Sequence, residues 1–397
     1  PEVRAQVIGE GGNLGLTQLA RIEYALAGGQ INTDALDNSG GVDLSDREVN
    51  LKILLAPAVA AGDLSQDDRN TLLERLTDEV ADFVLTDNFS QSRAVSLDVV
   101  RLQERVDDFR DLMVALEDLG ILDRAAEDLP TWERLSERLE KGQSLTRPEL
   151  CVLLSYAKIH ATAATLGSDL PDDPSTGPYA MRYFPRDAVG TVGVEQVEAH
   201  RLRREIVAGQ LTNDLVDLMG ATFVNKVSSE TGQPPAQVIR AWLIAARLAK
   251  HHEILEYVNA NQDLSTRVVY RWLLGLTRVL ERATRWILAQ VNPEDSVADV
   301  VARSEAKLAK LRAAFPDLVR GTDKELYASR VQEMMRHGAT EEFANDIITL
   351  RFLDHLLEVL VIGNETESGP VEAAKAYYRC SDIIRVPWLR SQIFRIA

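Results

Sequence analysis

Apolar and polar positions follow two different spacings along this chain, and the change lies near residue 60. An apolar run at residues 3–8 leads into the sequence Gly-Glu-Gly-Gly-Asn at residues 9–13, which predicts a strand entering a glycine turn. Residues 17–27 have helical spacing, and residues 30–36 return to an extended pattern. Strand, turn, helix and strand in this order predict one βαβ unit of a parallel sheet.

From residue 62 onward the apolar spacing is almost exclusively helical. Ser65 is the predicted N-cap of a helix at residues 67–85, and Ser96 begins a longer one. The sequence Thr-Arg-Pro-Glu at residues 146–149 is a strong helix start. Further helices are predicted at residues 45–61, 194–219, 236–257, 297–315, 323–337, 340–362 and 370–380, and after the cap Ser265. We therefore expect domains at 1–60 and 61–397, with a Gly- and Pro-rich sub-boundary at 167–190.

Composition and charge narrow the class of protein. The 397 residues carry a formal net charge of −17, which disfavours nucleic acid and anionic membrane surfaces as partners because both attract clustered Lys and Arg. No stretch approaches the roughly 18–20 apolar residues that span a bilayer. The chain begins at Pro1 without a signal peptide, and we expect an internal cut point of a longer polypeptide. Cys151 and Cys380 are expected to be reduced, and the context to be cytoplasmic.

Two polar, glycine-flanked turns are the candidate ligand site. Asn13 lies in the first turn, and Asn38 lies in the second, at residues 37–41. Both follow predicted parallel strands, whose carboxyl ends are where open α/β sheets bind ligands. Asn offers a donor and an acceptor to a neutral carboxamide. Glycines after a strand are most often only a tight turn, and the second turn is alternatively a helix cap. The full G-x-G-x-x-G spacing is absent.

These two turns resemble a known enzyme family. Residues 9–14 and 31–45 resemble the closing part of the cofactor domain in glutamate dehydrogenases, which reads E-G-A-N and later N-A-G-G-V-x-x-S. The resemblance is closer to the large NAD-dependent bacterial type, in which sequences such as those at residues 31–38 and 45–55 are typical. Blocks at residues 145–150, 169–174, 183–185, 200–206 and 281–286 extend the resemblance over most of the chain.

The resemblance implies a fold and a cofactor. The fold it implies is mainly α, with the C-terminal part of a Rossmann-like α/β cofactor domain followed by a large all-helical domain. The cofactor is NAD, and the implied cofactor-binding residues are Gly11, Gly12, Asn13 and Asn38. The asparagines would lie along the nicotinamide ribose and carboxamide. Leu14 stands near the position where shorter relatives place a Pro-Thr pair.

The resemblance also implies a reaction, the oxidative deamination of L-glutamate to 2-oxoglutarate and ammonia. Val42 and Ser45 would contact glutamate, with the Ser45 hydroxyl donating to its side-chain carboxylate; Ser45 is alternatively an ordinary N-cap. Gly40 and Leu44 replace the Ala and Cys that are common in the large type. The catalytic Lys and Asp of the family are expected upstream, so no catalytic residue is assigned here.

The remaining implications concern partners and alternatives. The expected partners are the remainder of the same polypeptide and further copies of it in a homo-oligomer, and the helix at residues 45–61 is expected to act as a pivot. The alternative is a helical oligomerisation or regulatory module without catalytic function. The parent reading frame distinguishes the dehydrogenase hypothesis from the helical-module hypothesis, because a dehydrogenase needs an upstream Lys-bearing domain and glycine loop.

Other polar clusters give weaker signals. His251-His252-Glu253 lacks the spacing of a metal motif, so we expect solvated surface and no metal site. The basic cluster at residues 200–204 is expected to form salt bridges to Glu195, Glu198 and Glu205 on an amphipathic helix. A site for an acidic effector is the alternative interpretation of this cluster.

Overall fold

A computed structural model describes residues 3–261 and 263–383 of the chain. The chain divides into two compact units, the first ending at Ile239 and the second beginning at Arg240. Helices dominate both units, so the predicted mainly α fold class is confirmed. The predicted boundaries at residue 60 and at residues 167–190 stay predictions beside this observed division.

The first unit begins with two short strands and continues in helices. The strands are β1 (Val7–Ile8) and β2 (Gln30–Ile31). The helices are α1 (Gln18–Leu26), α2 (Asp34–Asp37), α3 (Ser39–Ala61), α4 (Gln66–Arg75), α5 (Thr77–Leu102), α6 (Val106–Asp118), α7 (Trp132–Glu140), α8 (Arg147–Leu166), α9 (Gly177–Tyr183), α10 (Arg186–Val192), α11 (Val194–Glu198), α12 (Arg203–Met219) and α13 (Phe223–Thr231). Short 3-10 helices lie at Leu170–Asp172 and Pro174–Thr176.

The second unit contains longer helices. The division between the units lies within α14 (Pro235–Ala249). The helices that follow are α15 (His251–Ala260), α16 (Thr266–Gln290), α17 (Val297–Leu318), α18 (Gly321–Arg336), α19 (Glu341–Leu350), α20 (Leu353–Glu365) and α21 (Pro370–Ile383). In its core, α16 packs against α20 and α19, and α17 packs against α21 and α20.

The only sheet among the described residues is the pair β1 and β2. The strands are parallel, with Val7 opposite Gln30 and Ile8 opposite Ile31, and α1 lies between them in sequence. This agrees with the predicted strand–helix–strand order. Each strand has two residues, so the described structure does not show the Rossmann-like domain that the sequence led us to expect.

Two predictions about the segment after β2 are wrong. The extended pattern expected to continue through residue 36 ends at Ile31, and Asp34–Asp37 forms a helix that begins with Leu36 N–H donating to Thr33 O at 3.1 Å. The next helix, α3, begins at Ser39 rather than at Ser45. Asn38 occupies the N-cap position of α3. The second polar turn is therefore the start of a helix, which agrees with the alternative interpretation that it is a helix cap. Ser45 lies inside α3 and is not a cap.

Several helix boundaries differ from the sequence pattern. The helix predicted at residues 67–85 is two helices, α4 and α5, which meet at Leu76. Ser65 caps the first by accepting from Asp68 N–H at 3.0 Å, as predicted. Ser96 lies within α5 and does not begin a helix. The predicted helix at residues 236–257 is interrupted at Lys250, whose φ is +57°.

Helix α8 lies at the centre of the first unit. It packs against α12, α5 and α1, and it begins with the predicted capping box between Thr146 and Glu149. The Glu149 carboxylate is fully buried and pairs with Arg138 at 2.8 Å. A buried carboxylate is tolerated only when its oxygens have partners, and here the cap and the guanidinium supply them. The start of α8 is therefore fixed next to the candidate site.

Candidate functional site

The glycine turn between β1 and α1 is held in place by two carboxylates of α2. Backbone N–H of Glu10 donates to Asp37 Oδ2 at 3.2 Å, and N–H of Leu14 donates to Asp34 Oδ2 at 2.8 Å. Leu14 has a φ of +57° and is 81% exposed. A residue other than Gly rarely adopts this backbone conformation unless its surroundings hold it there. The two hydrogen bonds thus give the turn a defined shape.

A buried ion pair supports the same turn from beneath. Arg21 on α1 donates to Glu10 Oε2 through Nε at 3.0 Å and through Nη2 at 2.5 Å. Both side chains are about 95% buried, and Arg21 also reaches Asp34 Oδ1 at 3.2 Å. Removing either partner would leave a buried charge. Sequence reasoning missed this pair, because Glu10 lies in a turn and Arg21 on a helix, so no single helical or strand period relates them.

The two predicted asparagines lie in direct contact. Asn38 Nδ2 donates to Asn13 Oδ1 at 2.6 Å. No hydrogen bond within the described residues uses the remaining Asn13 Nδ2 or Asn38 Oδ1. Either orientation of the two amides leaves one donor and one acceptor for another group. A Cβ on Gly41 would lie 2.8 Å from Asn38 Nδ2, so Gly at this position makes room for the asparagine.

The predicted cofactor-binding glycines face open space. Gly11 and Gly12 are exposed, and a Cβ built on either one meets no atom within 4 Å. The backbone of the turn is therefore accessible beside the exposed Asn13 amide. An exposed backbone next to free amide groups suits close approach by a polar ligand. These residues fit the nicotinamide end of a dinucleotide.

The predicted substrate residues lie on the same helix as Asn38. Val42 is 75% exposed and Ser45 is exposed. Ser45 Oγ donates to Val42 O at 2.8 Å, a bond within the helix. Positions 38, 42 and 45 are four and three residues apart, a spacing that places them on one face of a helix. The structure thus brings Asn13, Asn38, Val42 and Ser45 to one accessible surface, which we name the asparagine face.

The opposite face of α3 is anchored by a buried arginine. Arg47 donates to Asp43 Oδ1 at 3.1 Å, to Asp87 Oδ2 at 2.5 Å and to Tyr183 O at 3.1 Å. Its guanidinium also lies 4.8 Å from the centre of the Tyr183 ring. Asn50 Nδ2 donates to the Tyr183 hydroxyl at 3.0 Å. These contacts fix α3 against α5 and α9, so the asparagine face stands on a rigid support.

Asp43 has an unusual environment within this anchor. Burial raises its pKa from 3.8 to about 6; Arg47 opposes the shift, and the neighbouring Asp87 carboxylate adds to it. Asp43 Oδ2 is buried and has no hydrogen-bond partner in the described part of the chain. The only sequence signal for this site is the four-residue spacing of Asp43 and Arg47.

A second arginine joins α8 to the strand end below the site. Arg147 Nε donates to Asn32 Oδ1 at 3.0 Å, and Asn32 Nδ2 donates to Asp37 Oδ1 at 2.8 Å. Cys151, one helical turn further, is fully buried, and burial raises the pKa of its thiol to about 12. A thiol that stays protonated at neutral pH is a poor nucleophile. We assign this region a supporting role.

Three residues of the basic cluster, His200, Arg203 and Arg204, make contacts within the protein, and Arg201 is exposed. His200 is buried; its Nε2 lies 3.2 Å from Asn50 O, and burial lowers its pKa. Arg203 pairs with the predicted partner Glu198 at 2.6 Å. Arg204 pairs with Asp172 instead of Glu195 or Glu205.

One expectation about the histidines of the second unit is wrong. His251 was expected at a solvated surface, but the structure buries it, with Nδ1 3.1 Å from Ala246 O. Position 251 follows the break at Lys250, and a helix reoriented there has a different buried face from that of the predicted continuous helix.

Comparison with known proteins identifies the family. The family described as "Glutamate dehydrogenase, C-terminal" matches residues 142–397. The chain belongs to this family. The family described as "Bacterial NAD-glutamate dehydrogenase, catalytic domain" matches residues 1–98, the part that contains the asparagine face.

Three named relatives align along nearly the whole chain, and each is an NAD-specific glutamate dehydrogenase. The protein of Halomonas elongata is 38% identical over 396 residues, that of Pseudomonas aeruginosa 40% over 394, and that of Mycobacterium tuberculosis 34% over 389. These alignments cover 100%, 99% and 96% of this chain but 24%, 24% and 23% of the relatives. The chain thus spans about a quarter of their length. No helix within residues 3–261 and 263–383 has the length and apolar character to cross a bilayer.

Proposed function

We propose that this chain is the C-terminal segment of an NAD-dependent glutamate dehydrogenase, which converts L-glutamate, NAD and water to 2-oxoglutarate, ammonia and NADH. The observation that carries the proposal is the asparagine face, an accessible amide pair beside the open backbone of Gly11 and Gly12. It lies within the residues that match the catalytic-domain family. That match favours a dehydrogenase segment over a purely structural helical module.

Asn13, Asn38 and the two glycines are proposed to hold the nicotinamide end of NAD. A primary carboxamide has one acceptor oxygen and an NH₂ donor. The Asn13–Asn38 pair leaves one donor and one acceptor, so the two sets are complementary. NAD supplies the hydride acceptor when bound. The residues of this chain orient the carboxamide and leave space above the glycine turn for the ring.

Val42 and Ser45 are proposed to contact glutamate. The Ser45 hydroxyl has a single donor hydrogen, which now serves Val42 O. It would leave this bond to donate to the stronger acceptor, the side-chain carboxylate of glutamate. Exposed Val42 offers an apolar contact for the methylene groups of the substrate.

The rest of the reaction is proposed to depend on other parts of the polypeptide. No residue of this chain is assigned as catalytic, and the Lys and Asp that the chemistry needs are proposed to lie upstream. We further propose that residues 1–60 complete the NAD-binding domain and that residues 61–397 form the helical C-terminal domain. In the same proposal α3 links the two, and the enzyme is a cytoplasmic homo-oligomer.

The test compares the full-length protein with the isolated chain. We expect the full-length protein to reduce NAD when L-glutamate is present, measured by NADH absorbance, and the isolated chain to show no turnover. Robust glutamate oxidation by the isolated chain would contradict the placement of the catalytic groups. A full-length protein that is folded but inactive with glutamate would overturn the proposed function.

A paired glycine substitution tests the cofactor site. Gly12→Val places a branched side chain in the open space above the turn, and we expect the KM for NAD to rise at least tenfold. Gly190→Val is the control, because Gly190 is also exposed and a Cβ there also meets no atom within 4 Å. We expect Gly190→Val to leave the KM for NAD unchanged. Equal effects of the two substitutions would remove the glycine turn from the site.

A further inference from the structure

A pocket of about 80 Å³ lies between α16, α18 and α19 in the second unit. Its floor is apolar and its side chains are nearly buried: Trp272, Leu276, Val279, Met334 and Ile348. Its rim carries the charged side chains Arg271, Arg330, Glu333 and Arg351. An apolar floor with a few convergent polar groups is the usual character of a small-molecule site.

Positive charge on the rim exceeds negative charge. Glu333 is the only carboxylate among the lining residues, and it is shared by Arg271 at 3.2 Å and Arg330 at 2.6 Å. Within residues 3–261 and 263–383, no carboxylate forms an ion pair with Arg351. Burial, followed by the nearby guanidinium of Arg330, lowers the pKa of Arg351. The rim of the pocket therefore carries an exposed guanidinium that forms no ion pair with a carboxylate of the described residues.

The backbone around Arg351 is held by a separate contact. Arg282 Nη2 donates to Arg351 O at 2.8 Å, and Arg282 also pairs with Asp354 at 3.4 Å. These bonds position the chain at the end of α19 without using the Arg351 side chain. Among residues 3–261 and 263–383, no hydrogen bond uses the Arg351 guanidinium as a donor. A planar guanidinium is well suited to bind a carboxylate through two parallel hydrogen bonds.

We propose that this pocket binds a small monocarboxylate, with its carboxylate on Arg351 and its apolar chain on Trp272 and Leu276. A cavity of about 80 Å³ is about half the volume of the roughly 150 Å³ cavity that holds the six carbons of benzene. It therefore has room for an apolar chain of about three carbons, with the carboxylate at the rim. Inorganic phosphate would also satisfy Arg351 but has no apolar surface for the floor. The inference is independent of the asparagine face and of the proposed reaction.

The test uses butanoate as the probe and isothermal titration calorimetry on the full-length protein at low salt. We expect butanoate to bind, and butanamide, its neutral analogue, and inorganic phosphate to bind at least tenfold more weakly. Butanamide or phosphate binding as tightly as butanoate would overturn the proposal. So would the absence of butanoate binding.

Three variants test whether butanoate binds in this pocket. Arg351→Gln removes the guanidinium, and we expect the affinity for butanoate to fall at least tenfold. Gly275→Leu fills the pocket while keeping every arginine; Gly275 lines the pocket, a Cβ there meets no atom within 4 Å, and Leu favours the helix. We expect it to abolish binding. Arg336→Gln is the matched control, because Arg336 lies exposed on α18 outside the lining, and we expect no change.

A carboxylate probe has a second potential target, the proposed glutamate site. Ser45→Ala separates the two, since Ser45 lies in the first unit. Butanoate affinity that is lost in Arg351→Gln and Gly275→Leu but retained in Ser45→Ala supports the pocket. Affinity that is lost in Ser45→Ala and retained in the two pocket variants would assign the carboxylate to the asparagine face and overturn the proposal.

Discussion

Asn38 donates a hydrogen bond from Nδ2 to Asn13 Oδ1 at 2.6 Å, although the two residues are 25 positions apart in the sequence. Each residue is held by a different element: Asn13 by the glycine turn and Asn38 by the start of α3. The contact therefore joins two parts of the chain into one accessible surface. It also makes the two side chains interdependent, which can be measured.

We expect the two asparagines to act as a unit in NAD binding. Asn13→Ala and Asn38→Ala in the full-length enzyme should each raise the KM for NAD about five- to tenfold, the range of one net hydrogen bond to a ligand. The double variant should raise it little further, because each single change already disrupts the pair. Asn70→Ala, at an exposed asparagine of α4, serves as the control. Effects that simply multiply would show that the residues act separately.

Ser45 is expected to affect glutamate rather than NAD. Ser45→Ala in the full-length enzyme should raise the KM for glutamate about ten- to a hundredfold, the effect of losing one hydrogen bond to a charged group, and leave the KM for NAD unchanged. Ser45→Thr keeps a hydroxyl and should retain most of the affinity. Steady-state kinetics with each substrate varied in turn measures both. An unchanged KM for glutamate in Ser45→Ala removes Ser45 from the substrate site.

The sequence predicted local features well where the signal is local. The strand–helix–strand order, the cap at Ser65 and the capping box at Thr146 are all determined by residues within a few positions of one another. The helix start at Ser39 was only the alternative interpretation of the second turn, because Gly40 and Gly41 favour a turn. In the structure the two glycines form the first turn of α3, where Gly41 gives Asn38 room.

The buried contacts that support the candidate site could not be predicted from the sequence. Arg47 meets Asp87 and Tyr183 across 40 and 136 positions, and no periodicity relates residues so far apart. Long-range partners of a buried charge depend on how helices pack, which a hydrophobic pattern does not specify. The pattern therefore predicted the two candidate asparagines but not the buried groups that support them.

Gly220 is expected to be intolerant of any side chain. Its φ is +87°, and a Cβ there would lie 2.3 Å from Asp98 Oδ1 and 2.5 Å from Arg101 Nη1. Asp98 is 1% exposed and also accepts from Ala221 N–H at 3.1 Å, so it has little room to move. Gly220→Ala should lower the free energy of unfolding by about 2–4 kcal/mol, the combined effect of backbone strain and a disturbed buried pair.

The matched control for Gly220 is Gly232→Ala. Gly232 also has a positive φ, +69°, but a Cβ there meets no atom within 4 Å. Backbone strain is then the only cost of the added Cβ, so Gly232→Ala should lower the free energy of unfolding by about 1 kcal/mol. Urea unfolding of the full-length protein, followed by hydrogen exchange in α5 and α12, measures both. Equal losses in the two variants would contradict the close contact with Asp98.

Asp43 is expected to make the stability of the first unit depend on pH. Its pKa is raised from 3.8 to about 6 in the folded protein, so the folded state binds the proton more tightly than the unfolded state does. The free energy of unfolding therefore rises as the pH falls from about 7 towards 4, and the ionised carboxylate destabilises the folded state at higher pH. Asp43→Asn, which mimics the neutral form, should be more stable than the wild type at pH 8 and should lose most of this gain at pH 4.

Comparison of Asp43→Asn with a control variant separates the contribution of Asp43 to the pH dependence of stability from that of the other titrating groups. Asp63 is exposed, so Asp63→Asn should follow the pH dependence of the wild type. Urea unfolding of the full-length protein at pH 4, 6 and 8, followed by hydrogen exchange in α3, provides the comparison. The neutral form relieves the repulsion between Asp43 and Asp87 and leaves Arg47 to pair with Asp87 alone. If Asp43→Asn is less stable than the wild type at pH 8, the Arg47 ion pair outweighs burial, and the carboxylate stabilises the support of the asparagine face.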